Sequence, residues 1–278
     1  MSLTRHLRGG RGPVWEWFAT HFPATRALAA GTNRRLRGPE PDTGGEAPPA
    51  AGNAGARVIS LRAPRDGSRH DCPVPPPPHS DSALVGTAAG YIVTAWLCPE
   101  ALQASVATRG ALSLDGMSRG RPRELPSAAC ARAVQRIMRL RPAAFGASRS
   151  GWAEVCQLTI VLARCEQWFR GGHAVRQHMQ PLVTWRGGQL PELADALANH
   201  STLADLDNLG QAVLDDLGHL SSAGSLHAGA TFVQSCALGG ADADLIADGQ
   251  LLELKTAAQT RIAGRFEFWQ LLGYLLAD

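Results

Sequence analysis

The chain has 278 residues, 45% of them hydrophobic and 18% charged, which is enough for one or two domains with a packed core. The opening MSLTRHLRGGRGPVWEWF lacks the apolar stretch of a secretory signal, and the longest apolar run, about 83–98, is broken by Gly and Thr and falls short of the roughly 18 residues of a membrane span. Six scattered cysteines (Cys72, Cys98, Cys130, Cys156, Cys165 and Cys236) form no CxxC pair, so a zinc ribbon and a disulfide scaffold are not expected; the expected compartment is the reducing cytoplasm.

The net charge of +3 hides an uneven distribution. Residues 1–37 carry seven Arg and one acid, whereas residues 201–250 carry seven Asp and no Lys or Arg. A basic arm and an acidic segment in one chain suit a protein that meets nucleic acid and holds a metal, although solvated surfaces alone give the same pattern. Among 27 basic residues the only lysine is Lys255. A composition rich in Arg, Ala, Gly and Pro replaces lysine wherever arginine can serve, so this one position attracts interest as a site that needs a primary amine.

In chain order, residues 13–30 (PVWEWFATHFPATRALAA) form a short amphipathic stretch suited to docking on the body of the protein or on a protein partner. Residues 38–83 are rich in Pro, Gly and Ser and read as a disordered linker, with polyproline geometry at 75–78 and a short edge-strand candidate in RVISLRA. Helices are expected over 84–98, 127–139 (ending before Pro142), 152–169 (stopped by Gly171 and Gly172), 191–199 and 205–220. Trp152, Trp168 and Phe169 are expected in the core rather than as a base-stacking platform. From residue 230 the period changes to that of strands, in ATFVQSCAL and ADADLIADGQLLELKT, and 264–278 returns to helix.

The second strand segment carries the chemistry. Asp248 and Gly249 suit a two-residue hairpin turn, and the simplest register pairs Ala247 with Gln250. Asp244 then opposes Glu253, and Asp242 opposes Lys255. These four share one face, while Ala243, Leu245, Ala247, Leu252 and Leu254 share the other. Opposed Cβ atoms lie roughly 4.5–5.5 Å apart. Carboxylates that close repel unless a cation sits between them, and a hard divalent ion with oxygen ligands answers the need. A lysine beside such a site can steer a water or stabilise charge on a phosphate.

This arrangement resembles the PD-(D/E)XK nuclease superfamily. Glu253-Leu254-Lys255 looks like the ExK element, and Asp244 matches the preceding acid, with Asp242 as a second candidate. Gln270 and Tyr274 in FWQLLGYLLAD look like the QxxxY motif of the RecB-type branch. The resemblance covers about 204–278. Residues 13–38 and 83–97 are more loosely similar to segments of an uncharacterised bacterial group in the same superfamily.

The resemblance implies a restriction-endonuclease-like α/β core, a small mixed sheet flanked by helices, in a domain spanning 84–278, with 84–203 its helical part and 204–278 its catalytic part. It implies a DNA nuclease dependent on Mg²⁺, or alternatively Mn²⁺, held by Asp244, Glu253, the Leu254 carbonyl and Asp242. Lys255 would act on the attacking water or the developing charge, and Gln270 and Tyr274 would orient the site. The family core continues beyond the QxxxY helix, so a sequence ending at Asp278 is expected to lack its last strands. The rival expectation is a nuclease fold that binds without cutting. His173 and His178 fit no HExxH motif, and Ser222, Ser225 and His227 fit no nucleophile elbow.

Overall fold

A computed structural model describes residues 80–118, 124–231 and 242–254, together with the helical residues 16, 19 and 20. The chain divides into two compact units, one of residues 63–230 and 243–258 and the other of 1–62, 231–242 and 259–278. The expected basic arm at 1–37, the linker at 38–83 and the last helix at 264–278 fall almost wholly outside the described residues.

The first unit is built on helices. Helix α1, Ser82–Leu97, starts where the Asp81 carboxylate accepts the Leu84 N–H at 3.0 Å. Its sequence, SALVGTAAGYIVTAWL, is apolar nearly all round, and it buries Leu84, Val85, Ile92 and Val93 among others. A 3₁₀ segment, Pro99–Ala104, leads into α2, Val106–Asp115. Helix α3, Pro126–Ala144, opens with proline at its first position, where a missing N–H costs nothing.

Helix α4, Trp152–Gly171, runs through the middle, packed on α1, α2 and α3. Leu158, Ile160 and Leu162 are fully buried on it, and removing each such side chain from water contributes about 2 kcal/mol. It ends at Gly172, whose φ of 53° departs from helical geometry and is open to glycine without strain. A 3₁₀ segment at Gly172–Met179 and the single turn α5, Gln180–Val183, precede α6, Leu190–Leu197, and α7, His200–Leu217. Helix α7 is capped by Asn199, whose side chain accepts the Thr202 N–H at 2.8 Å. The 3₁₀ segment Gly218–Ser222 leads to strands β1, Leu226–Thr231, β2, Asp242–Ala247, and β3, Gln250–Leu252.

The fold is therefore mixed α/β, mostly helical, with a small three-stranded antiparallel sheet of order β1-β2-β3. The sheet expected to be mixed is antiparallel throughout the described residues. The structure also departs from expectation at α3, at α2 and at Phe169. Helix α3 runs through Pro142, because a proline in the last turn removes one hydrogen bond while the Phe145 N–H still reaches the Arg141 carbonyl at 3.0 Å. Helix α2 had no clear sequence signal. Phe169 is 48% exposed, with the Arg109 guanidinium 5.2 Å above its ring, whereas Trp152 and Trp168 are buried as expected.

Buried polar groups tie the helices together. Tyr91 on α1 donates its hydroxyl to Glu166 on α4 at 2.6 Å and accepts the Ala107 N–H of α2 at 3.1 Å. Burial first, and then the Glu166 charge, hold the Tyr91 phenol well above its ordinary range, so it stays a neutral donor. Arg164, 5% exposed, donates to the Leu197 carbonyl at 3.1 and 2.9 Å and to Asp81 at 3.0 Å.

Two substitutions test this packing. At Gly110 of α2 an added Cβ would stand 1.9 Å from the Cys165 carbonyl oxygen of α4, whereas at Gly90 of α1 it would meet nothing within 4 Å. Gly110→Ala is expected to lower stability by about 3 kcal/mol, since the helices must separate. Gly90→Ala is expected to raise it by about 0.5–1 kcal/mol through lost chain entropy. Chemical denaturation of both variants reads the opposite signs. Arg164→Met is expected to cost about 3 kcal/mol, by stranding Asp81 and the Leu197 carbonyl, and Arg164→Lys recovers little of it because an ammonium cannot form the fork. An unchanged urea midpoint for Arg164→Met would show that the helix ends hold without it.

Candidate functional site

The hairpin at 242–254 begins from its turn. Asp248 and Gly249 have φ values of 47° and 75°, the pair of positive angles that defines a type I′ turn. Aspartate tolerates this conformation and glycine adopts it without strain, so the Asp-Gly dipeptide closes the hairpin at two residues. Asp248 also fastens the turn to the residue preceding β1. Its N–H donates to the Ser225 carbonyl at 3.0 Å, and its Oδ1 accepts the Ser225 N–H at 2.8 Å. On the helical side, Cys98 at the end of α1 lies against the Ala228 backbone of β1; burial pushes its thiol up, and the hydrogen bond to that backbone opposes the shift.

Strands β2 and β3 pair antiparallel with Leu245 opposite Leu252, Ile246 opposite Leu251, and Ala247 opposite Gln250. This is the expected register. Ala243, Leu245 and Ala247 are buried, which sets one face of β2 against the core and turns Asp244 to the other. The observed pairing ends at Leu245 and Leu252; continued one step further, the same register would set Glu253 opposite Asp244. Both are half-buried, and the Glu253 Oε2 atom is inaccessible to solvent.

Asp244 makes a contact that no motif foretells. Its Oδ2 accepts the Leu254 N–H at 2.7 Å. Strand β3 ends at Leu252, so the carboxylate takes over as acceptor where the ladder stops, and it clasps the backbone of the Glu253-Leu254 segment. Asp244 and the Glu253-Leu254 segment it clasps bring two carboxylates and a backbone carbonyl to this end of the hairpin's sequence. They have the chemistry of a hard divalent cation's ligands, and an ionised carboxylate accepts up to about four bonds, so the bond to Leu254 does not exhaust Asp244. Among the described residues no group of three or more His, Cys, Asp or Glu side chains is placed to hold a metal ion.

Asp242 is the first residue of β2, but its side chain lies outside the described residues, as do Lys255, Gln270 and Tyr274. The two histidines set aside in the sequence have ordinary settings. His173 meets the Trp168 ring edge-on at 5.9 Å, and His178 sits beside Gln177. Among the described residues no helix is long and apolar enough to cross a membrane.

Comparison with family models, with curated proteins and with solved structures finds no match to this chain.

The clasp separates structural from chemical effects of substitution. Asp244→Asn keeps a side-chain acceptor for the Leu254 N–H, whereas Asp244→Ala removes it and is expected to cost about 1–2 kcal/mol. Amide hydrogen exchange at Leu254 is expected to accelerate in the alanine variant and to change little in the asparagine variant.

Proposed function

We propose that the chain is a metal-dependent nuclease that hydrolyses phosphodiester bonds in DNA. The observation that supports this reading is the hairpin register, which, continued one step past the Leu245–Leu252 pair, would set Glu253 opposite Asp244, two residues before Lys255 in the sequence. In this reading Asp244, Glu253 and the Leu254 carbonyl hold Mg²⁺, or alternatively Mn²⁺, with Asp242 as a further carboxylate. The bound ion would supply Lewis-acid stabilisation of the phosphate. Lys255 steers the attacking water or neutralises the charge that develops, and Gln270 and Tyr274 orient the site on the strength of the QxxxY resemblance. A restriction-endonuclease-like core, a DNA partner, a further protein partner for the N-terminal arm and a cytoplasmic location belong to the same proposal.

A second reading, a nuclease-like hairpin that binds without cutting, is favoured by the Asp244–Leu254 bond, since that bond gives Asp244 a structural task. Purified protein is incubated with linear, circular and single-stranded DNA in Mg²⁺ or Mn²⁺, beside Asp244→Asn, Glu253→Gln and Lys255→Met. Cleavage by the parent chain, slowed by about 100-fold or more in each variant, is the expected result. Equal behaviour of parent and variants overturns the catalytic reading, and binding retained without cleavage favours the second.

A further inference from the structure

A separate surface of the helical unit has an unusual charge pattern. Residues 119–141 hold seven arginines and one acid, Glu124, and helix α3 carries no acid at all. The helix buries Ala129, Cys130, Ala133, Val134 and Ile137. That choice of face leaves Arg132, Arg136 and Arg139 exposed at spacings of four and three, a single row along its outer side. With a rise of about 1.5 Å per residue the row is roughly 10 Å long.

This row forms one wall of an open groove of about 150 Å³. Gln135 lies between the arginines, Glu154 of α4 lines the groove beside them, and Gln189 at the start of α6 lines it as well. Arg132 is held by Glu124 at 2.7 Å and by the Gly188 carbonyl at 2.9 Å. Arg136 donates to Glu154 at 2.7 and 2.9 Å. Arg139 makes no ion pair among the described residues. The two glutamates fix the orientation of two guanidinium groups without neutralising the row. Each guanidinium has five N–H donors, so the paired arginines, whose own side chains are exposed, keep hydrogen-bonding capacity toward the groove.

We infer that the groove along α3 binds the phosphate backbone of a nucleic acid, with Arg139 and Arg136 as its principal phosphate contacts and Arg132 at the far end of the row. A linear row of fixed cations suits a repeating anion better than a single phosphate ion. The neutral amides of Gln135 and Gln189 suit sugar and phosphate oxygens, which position a strand without reading its sequence. The surface lies on the helical body and does not depend on the chemistry of the hairpin.

The test is oligonucleotide binding by the full chain in EDTA, which removes any metal-dependent step, over a series of salt concentrations. Arg139→Gln is expected to lower the slope of log K against log salt by about 0.9, and Arg136→Gln with Arg139→Gln by about 1.8. Arg176→Gln, an exposed arginine outside the groove, is expected to leave both slope and affinity unchanged. Circular dichroism and thermal melting confirm that each variant is folded. The inference is overturned if the parent chain does not bind DNA, or if folded Arg139 and Arg136 variants bind with unchanged affinity and slope. It is equally overturned if polyglutamate competes as well as DNA at matched charge, since the groove would then serve an acidic protein.

Discussion

The helical unit depends on one buried cation. The Arg164 guanidinium sits in the middle of α4 with its side chain 6% exposed, and burial lowers its pKa while the Asp81 carboxylate opposes the shift. A charge in that position is tolerable only if its donors are met. The groups that meet them all belong to helix ends or lie on the same helix. Asp81 caps α1, the Leu197 carbonyl ends α6, and Gln167 lies one turn along α4. The Asp81 N–H in turn reaches the Thr202 hydroxyl, which is held by the Asn199 cap of α7. Helix termini carry unmet backbone groups that need partners, and here one arginine and two caps gather three of them on a single site. Segments more than a hundred residues apart in sequence are fixed together against α4 as a result.

Where the sequence was legible, its signals were local. The Asp-Gly turn sets the hairpin by the φ angles it demands, and the register follows from a two-residue loop. The long apolar run of α4 ends where two glycines say it should. Helix α2 was illegible for the opposite reason. Its sequence, VATRGALSLD, has a weak helical pattern and an internal glycine. That glycine is what lets the helix lie against the Cys165 carbonyl, a condition that exists only once α4 is in place. The continuation of α3 past Pro142 is likewise tertiary. Arg141 donates to the Ala95 and Trp96 carbonyls at the end of α1, and so holds the last turn that proline weakens.

The candidate site was legible to a similar depth. Strand alternation was enough to turn Asp244 away from the face that Ala243, Leu245 and Ala247 bury, because side-chain direction has a period of two. The bond from the Leu254 N–H to Asp244 was not, because it arises where backbone pairing stops, and nothing in the residue types marks that point. The arginine row of α3 was hidden differently. Charge summed along the chain draws attention to 1–37 and 201–250, yet a row is a property of helical phase. The burial of Ala129, Ala133 and Ile137 decides which arginines stand together.

These two surfaces answer one electrostatic difficulty in the proposed reading. A pair of carboxylates is a poor place to attract a phosphodiester, since like charges repel until a cation intervenes. Whatever affinity such a protein has for a polyanion must then come from elsewhere on its surface, and arginine supplies it with oriented donors that remain charged at any physiological pH. In a chain where arginine has displaced lysine almost completely, phosphate attraction costs nothing in composition. The one lysine follows the described hairpin in sequence, and in the proposed reading it would supply what a planar guanidinium cannot, a compact amine able to shift its pKa on burial and take part in proton transfer. Binding and chemistry would then rest on different basic residues because they ask for different cations.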